Sequence, residues 1–424
     1  MRLEDLLVYR GENYVPEDYR HEDLRNLALR GRTELHFREN DLRSIDLYLD
    51  QLSGKLQLHD SRLEGFRGRV HFEDEHLTTE QLSGRIGNSD LSVDLYWYLG
   101  EDPQLRKEDH RLRLQAQRLD LNQLLVWNPP PGGEPTTSDT VDHDAGFSLF
   151  DLPFWDMKVQ ADIGWLSYHT YQIYDLHAAL RMQKERLLYL DTCAMKVADG
   201  TFDIKGHFDA TDSTHIYLLP EVKARDVDLD RFMVKFDNFG QDYLVSENLH
   251  GFADCDLSGK LRLHQDLTPM LEASELDIAL EVRQGRLDNY EPMTYLADYF
   301  ADKNLNRIRF DTLRNTFGLR NNVLTIPRMT VNSSLGYLEL WGTQSLDDKM
   351  EMDLSLKIPL SLVSQAAFSK LFKRPREAVD PAQDDAIIYQ DEGKKVPYTY
   401  VKLLVDEEDY EVKLLKREEY PERD

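Results

Sequence analysis

Cysteine is nearly absent: of 424 residues only Cys193 and Cys255 carry a thiol. Two cysteines exclude a disulfide-rich scaffold and any four-cysteine zinc site. They can join as one bridge in an oxidising compartment, and the sequence alone leaves that pairing open. Long apolar runs are missing too. No stretch approaches the roughly 20 apolar residues that span a bilayer, and Met1-Arg2-Leu3-Glu4-Asp5 has no signal-peptide apolar core. Large basic blocks are also lacking. With 51 Lys+Arg against 78 Asp+Glu, the formal charge of −27 repels phosphate backbones and argues against nucleic acid as a partner.

The motifs of common enzyme classes are not found. There is no Gly-x-Ser-x-Gly elbow, no phosphate loop, no Gly-x-Gly-x-x-Gly after a strand and no His-Glu-x-x-His helix. Carboxylates are so numerous that no catalytic pair stands out, because acids at alternating positions form a solvent face. The densest histidine segment is His71-Phe72-Glu73-Asp74-Glu75-His76. If it is one strand, His71 and His76 are an odd number apart and face opposite sides, so they cannot share a metal. Cys193 has no motif-level histidine partner and reads as a small buried residue. Lys370, Lys373, Arg374 and Arg376 follow the apolar run Leu360 to Phe368. They read as a solvated helix end rather than a contact with an anionic membrane surface. The expectation is a non-enzymatic chain with no cofactor and no metal.

What the sequence does have is a period of two. Thr33-Glu34-Leu35-His36-Phe37, Ile45-Asp46-Leu47-Tyr48-Leu49, Lys55-Leu56-Gln57-Leu58-His59 and Arg69-Val70-His71-Phe72-Glu73 alternate apolar and polar side chains, as does the longer Leu91 to Leu99. Such text predicts half-buried strands. Gly54, Gly65, Gly68, Gly84, Gly87 and Asn88 are the expected turns. Consecutive strands of this kind predict a mainly β fold: a long, twisted and curled antiparallel sheet, a repetitive β-groove, with one apolar and one charged face. Gln51-Leu52-Ser53-Gly54-Lys55-Leu56-Gln57-Leu58-His59 returns closely as Asp256-Leu257-Ser258-Gly259-Lys260-Leu261-Arg262-Leu263-His264. The repetition is degenerate but real.

Helical spacing is confined to short pieces, Leu119 to Trp127, Val227 to Phe236 and Tyr290 to Phe300, the first two with an Asp suited to capping. The segment Asn128 to Asp139, with Pro129-Pro130-Pro131-Gly132-Gly133, has little to bury and reads as a linker. The implied division is 1–127 as a first β block, 128–147 as linker, 148–236 as a second block, 237–372 as a third, and 373–424 as a polar segment with a terminal strand pair. So little helical text cannot cover about twenty strands. Either the sheet curls on itself, or its apolar face is offered to something else.

The order of elements from about Glu281 to Pro359 resembles the C-terminal region of AsmA-like proteins. The resemblance rests on Arg286-Leu287-Asp288, a helix from Pro292 to Phe300, and a strand from Phe310 to Leu319. It continues through Ile326-Pro327 and Ser333-Ser334-Leu335-Gly336 entering Leu338-Glu339-Leu340-Trp341-Gly342. It implies kinship with TamB and the bridge-like lipid transfer proteins: periplasmic proteins of the Gram-negative cell envelope in which a curled sheet holds phospholipid acyl chains. It further implies phospholipid transport between inner and outer membranes, a role in outer-membrane biogenesis and homeostasis, and an inner-membrane anchor in the full-length protein that this sequence does not contain. The expected groove lining is Leu56, Leu58, Val70, Phe72, Leu91, Val93, Leu95, Trp97, Leu338 and Leu340, about half of it accessible. The competing expectation is a scaffold or assembly factor that holds envelope proteins at open sheet edges.

Overall fold

A computed structural model describes residues 21–39, 41–58, 60–108, 110–125, 154–168, 171–235, 247–265, 269–290, 304–346, 351–360, 386–390, 396–406 and 409–415, with Met293 and a few positions before residue 14. The expected linker Asn128 to Asp139, most of the expected third helix, and the basic cluster Lys370 to Arg376 lie outside these residues. The chain is mainly β, as the period of two predicts, with nineteen strands in one mixed sheet and a separate pair, β1 (Val8–Tyr9) and β2 (Glu12–Asn13).

Packing divides the chain into two units. The first is Met1–Lys196 with Asp203–Leu219 and Leu263–Pro269; the second is Val197–Phe202, Pro220–Arg262 and Met270–Asp424. The first unit contains β3 (Leu24–Arg38), β4 (Asp41–Leu56), β5 (Arg62–Glu73), β6 (His76–Ile86), β7 (Ser89–Tyr98), β8 (Arg111–Asp120), β9 (Met157–Tyr168) and β10 (Tyr171–Gln183), and nearly all of β11 (Leu187–Val197). Next come β12 (Gly200–Asp209), β13 (Ile216–Asp228) and β14 (Leu249–Leu263), then β15 (Pro269–Asp288), β16 (Arg307–Arg320), β17 (Val323–Ser333), β18 (Gly336–Ser345), β19 (Met352–Pro359), β20 (Tyr398–Asp406) and β21 (Asp409–Leu414). The last two are the expected terminal pair. Helices among the described residues are short: Pro103–Glu108, Leu121–Leu125 and Leu229–Lys235. The latter two are the predicted capped segments, and Asp120 and Asp228 accept from the backbone N–H groups of Gln123 and Arg231 at 3.4 and 3.2 Å.

Three expectations need correction. Most of the glycines taken as turns are inside strands: Gly54 in β4, Gly65 and Gly68 in β5, Gly84 in β6, leaving Gly87 and Asn88 as a tip. The glycines mark register shifts, at Leu49/Leu52 and Leu52/Gly54 between β4 and β5, so strands run through them as bulges. Gly84 has a second reason to be glycine, since the Phe66 ring occupies the space its Cβ would need. The sheet is also not wholly antiparallel, because β8 pairs parallel with β9. A parallel neighbour requires a crossover of a dozen or more residues, and the segment 121–156 supplies that length. Finally, His71 and His76 are not on one strand. Asp74 and Glu75, at φ 47° and 64°, make the two-residue turn between β5 and β6, and Glu73 pairs directly with His76. Both histidines therefore share the polar face.

In the second unit the apolar face is packed. Leu305, Leu335, Leu338, Leu356, Ile358, Val401 and Leu403 form one buried cluster, flanked by Leu287, Tyr290, Met293 and Leu340. Cys193 and Cys255 are both free and half-buried, and burial pushes both thiols up, Cys255 to about 11.

Candidate functional site

The first unit presents its apolar face differently. Side chains of directly paired residues lie on the same side of a sheet, so the registers can be followed across it. Leu47 pairs with Val70, Val70 with Thr79, Thr79 with Leu95 and Leu95 with Leu112. Leu112 pairs in turn with Val159, Val159 with Leu180 and Leu180 with Leu190. At about 4.8 Å per strand, this row from β4 to β11 runs roughly 34 Å. Every member except Thr79 is only half-buried. The Thr79 hydroxyl is satisfied locally, accepting from Leu95 N–H at 2.9 Å and donating to Val93 O at 3.2 Å, so it adds no unpaired polar group to the row.

Rows on either side extend the strip. Leu35, Ile45, Phe72, Leu77 and Trp97 form one, and Leu82, Val93, Leu114, Ala161 and Ala178 form the other. Buried clusters close it lengthwise. Trp97, Leu99 and Met157 pack with Trp155 at one end, while Leu119, Ile163 and Leu166 pack with Leu121 and Leu124 of the short helix at the other.

The opposite face is polar and held by arginine over aromatic rings. Arg32 lies over Tyr48 at 4.7 Å, Arg118 over Trp165 at 4.3 Å and Arg181 over Tyr189 at 5.0 Å, and each is also a direct register pair. Each exposed stack contributes about 0.5–1 kcal/mol. Among these side chains Asp46 is only 5% exposed. Arg69 Nε donates to its Oδ1 at 2.8 Å, His71 Nδ1 sits 2.9 Å from the same oxygen, and His36 Nε2 is 3.6 Å from Oδ2.

The Arg69 guanidinium foremost, then His71, hold the Asp46 carboxyl below the usual carboxylate range, against the opposing effect of burial. A carboxyl depressed in the folded state contributes stability above its ordinary pKa and loses that contribution as pH falls through the depressed value. Asp46→Asn is therefore expected to be less stable than wild type at pH 7, with the gap closing as pH falls below 4; urea midpoints measured from pH 7 to 3 test this. A constant gap would show that Asp46 acts through shape rather than charge.

The sequence-derived lining residues separate into groups. Val70, Phe72, Val93 and Leu95 lie in the half-exposed strip, with Leu91 next along the same face of β7. Trp97 closes one end as a buried residue. Leu56 is buried at the end of β4, and Leu58, just beyond, donates its N–H to the buried Glu22 carboxylate at 2.9 Å. Leu338 and its half-buried neighbour Leu340 belong to the packed cluster of the second unit. Residues that sequence reading passed over are Leu112 and Leu114 of β8, Val159 of β9 and Leu180 of β10. Their signal was present, since Arg111-Leu112-Arg113-Leu114-Gln115-Ala116 alternates without a break. Among the described residues no group of three or more His, Cys, Asp or Glu side chains is arranged to hold a metal. No protein-family model, curated protein or solved structure matches the chain.

Proposed function

We propose that this is a non-enzymatic cell-envelope protein that holds phospholipid acyl chains against the apolar strip of its first unit. In this reading it supports phospholipid movement between inner and outer membranes, and outer-membrane homeostasis, from the periplasm. The observation that carries the reading is the half-exposed row Leu47 to Leu190. A bilayer's hydrocarbon core of about 30 Å holds two acyl chains end to end, so a row of roughly 34 Å accommodates more than one chain length. The two faces of these strands differ as a lipid conduit requires: aliphatic on one side, Arg, Tyr, Asp and Glu on the other. The resemblance of Glu281–Pro359 to AsmA-like proteins supports the envelope location and the inner-membrane anchorage of the full-length protein.

The test is direct. Natively expressed protein, extracted with organic solvent and analysed by lipid mass spectrometry beside an equally acidic soluble protein, is expected to yield stoichiometric phospholipid. A clean extract would overturn the reading.

A second reading, a scaffold that holds other envelope proteins, is favoured by the exposed apolar residues of β3 and β4. Leu35 is 52% and Phe37 62% exposed, and Leu42 lies directly opposite Phe37. Exposed apolar side chains gathered in this way mark contact surfaces. Capture of a defined envelope protein that is lost in a Phe37→Ser variant, with no lipid in the extract, would establish it.

A further inference from the structure

We propose that the second unit carries a separate binding site for a phosphate-bearing anion, built by Arg286, Arg307 and Arg309 where the paired strands β15 and β16 change face. The site is independent of the acyl-chain reading. Arg286 and Arg309 are direct register partners, so two guanidinium groups stand side by side on one face; Arg307 lies two residues before Arg309 on β16, on that face. Like charges directly opposite each other across a sheet destabilise it. Asp288 offsets only part of this: its Oδ2 accepts from Arg286 Nε at 2.8 Å, and its Oδ1 lies 3.7 Å from Arg307 Nε. Arg309 has no ion-pair partner among the described residues, and a cationic cluster left open is the exception in a chain of formal charge −27.

The left-handed backbone at Gln284 explains how the cluster is aimed. Gln284, at φ 52°, interrupts the alternation of β15. Before it Val282 faces the apolar core opposite Leu313; beyond it the core-facing residues are Leu287 and its partner Ile308. Both strands change face together, five residues separating Val282 from Leu287 and Leu313 from Ile308, and this turns Arg286 and Arg309 to the outer face. The three arginines line a cavity of about 600 Å³ together with Asp311 and Ile387. Ile387 is held there by its neighbour Ile388, whose N–H donates to Ser333 O at 3.0 Å. The space is larger than inorganic phosphate needs and suits a phosphate ester. Guanidinium forks match phosphate oxygens two at a time, which a single lysine cannot do. Asp311 sets a limit: three cations face two carboxylates, so the cavity favours a compact anion of one or two charges over an extended polyanion.

The experiment uses the full chain. Thermal unfolding and calorimetric titration with inorganic phosphate, at ionic strength fixed with chloride, should give a saturable rise in the unfolding midpoint of the wild type, as expected when a ligand binds only the folded state. Arg309→Gln should weaken phosphate binding at least tenfold. Arg309→Lys, which keeps the charge but loses the fork, covers the case in which the first variant folds poorly, and should fall between. Asp311→Asn should bind more tightly than wild type. Arg314→Gln removes a charge paired with Glu281 outside the cavity and should bind as wild type does. No saturable response, an unchanged Arg309→Gln, or an equal loss in Arg314→Gln overturns the proposal. Glycerol 3-phosphate and vesicles containing phosphatidic acid then separate the two sources of the same chemistry. Binding of the first identifies a soluble phosphate ester; binding confined to the second identifies a lipid head group.

Discussion

A carboxylate placed at Val93 is expected to strip phospholipid from the purified protein while leaving the fold intact. Val93 is half-buried, and its register partners are Leu82 and Leu114. A carboxylate at the level of hydrocarbon costs about 2.5–3.5 kcal/mol on insertion scales, and 1.4 kcal/mol is a tenfold change in affinity. Lipid affinity should therefore fall by about two orders of magnitude in Val93→Asp. The folded protein without lipid leaves that position partly in water, so the carboxylate keeps much of its hydration. The unfolding free energy should then change by less than about 1 kcal/mol. Lipid mass spectrometry and a urea midpoint on the same preparation separate the outcomes. Retained lipid would remove the strip from consideration as the binding surface. Loss of the fold together with the lipid would mean that Val93 is ordinary core, covered by the protein itself.

The alternation that announces this sheet was legible in the sequence because it is local: a residue's side of a strand follows from parity alone. The expected strand Leu91 to Leu99 corresponds to β7, Ser89–Tyr98, for that reason. Parity fails where the chain changes count. Near Gly65 and Gly68, and at Gln81 between Thr79 and Leu82, an extra residue shifts the faces, at Gln284 both paired strands change face together, and nothing in the local text distinguishes a glycine that bulges from one that turns. Hairpin tips were hidden for a related reason. Asp74-Glu75 adopts the left-handed pair that Asn-Gly usually supplies, so the histidines on either side of it looked like one strand.

Coverage was the least legible property. Val93 and Leu338 sit in equally regular alternation, yet one is half-exposed and the other is 5% exposed within a packed cluster. What covers Leu338 comes from distant parts of the chain, Leu305 before β16 and Val401 and Leu403 on β20, which alternation does not report. The same point bears on the AsmA-like resemblance. Its residues, Glu281–Pro359, fall in the unit whose apolar face is largely packed, whereas the half-exposed row lies in the unit where the resemblance is weakest.

Leu403→Ala tests that division from the other side. Leu403 is 0% exposed, opposite Leu354 on β19 and Val412 on β21, and neighbours Leu356, Ile358 and Val401 in the cluster. Truncating a buried leucine removes its transfer energy and leaves a cavity that its surroundings fill only in part, at a cost of about 2–5 kcal/mol. Val93→Ala removes less apolar volume from a site already open to solvent, so no closed cavity remains, and its cost should stay below about 1 kcal/mol. Urea unfolding of both variants, with hydrogen exchange to locate the loss, is expected to show a large destabilisation confined to the second unit for Leu403→Ala and a small one for Val93→Ala. Lipid content should be unaffected at 25 °C in Leu403→Ala so long as the first unit stays folded. Equal costs at the two positions would mean that the two apolar faces are covered alike, and an acyl-chain site would then have no surface of its own on the first unit.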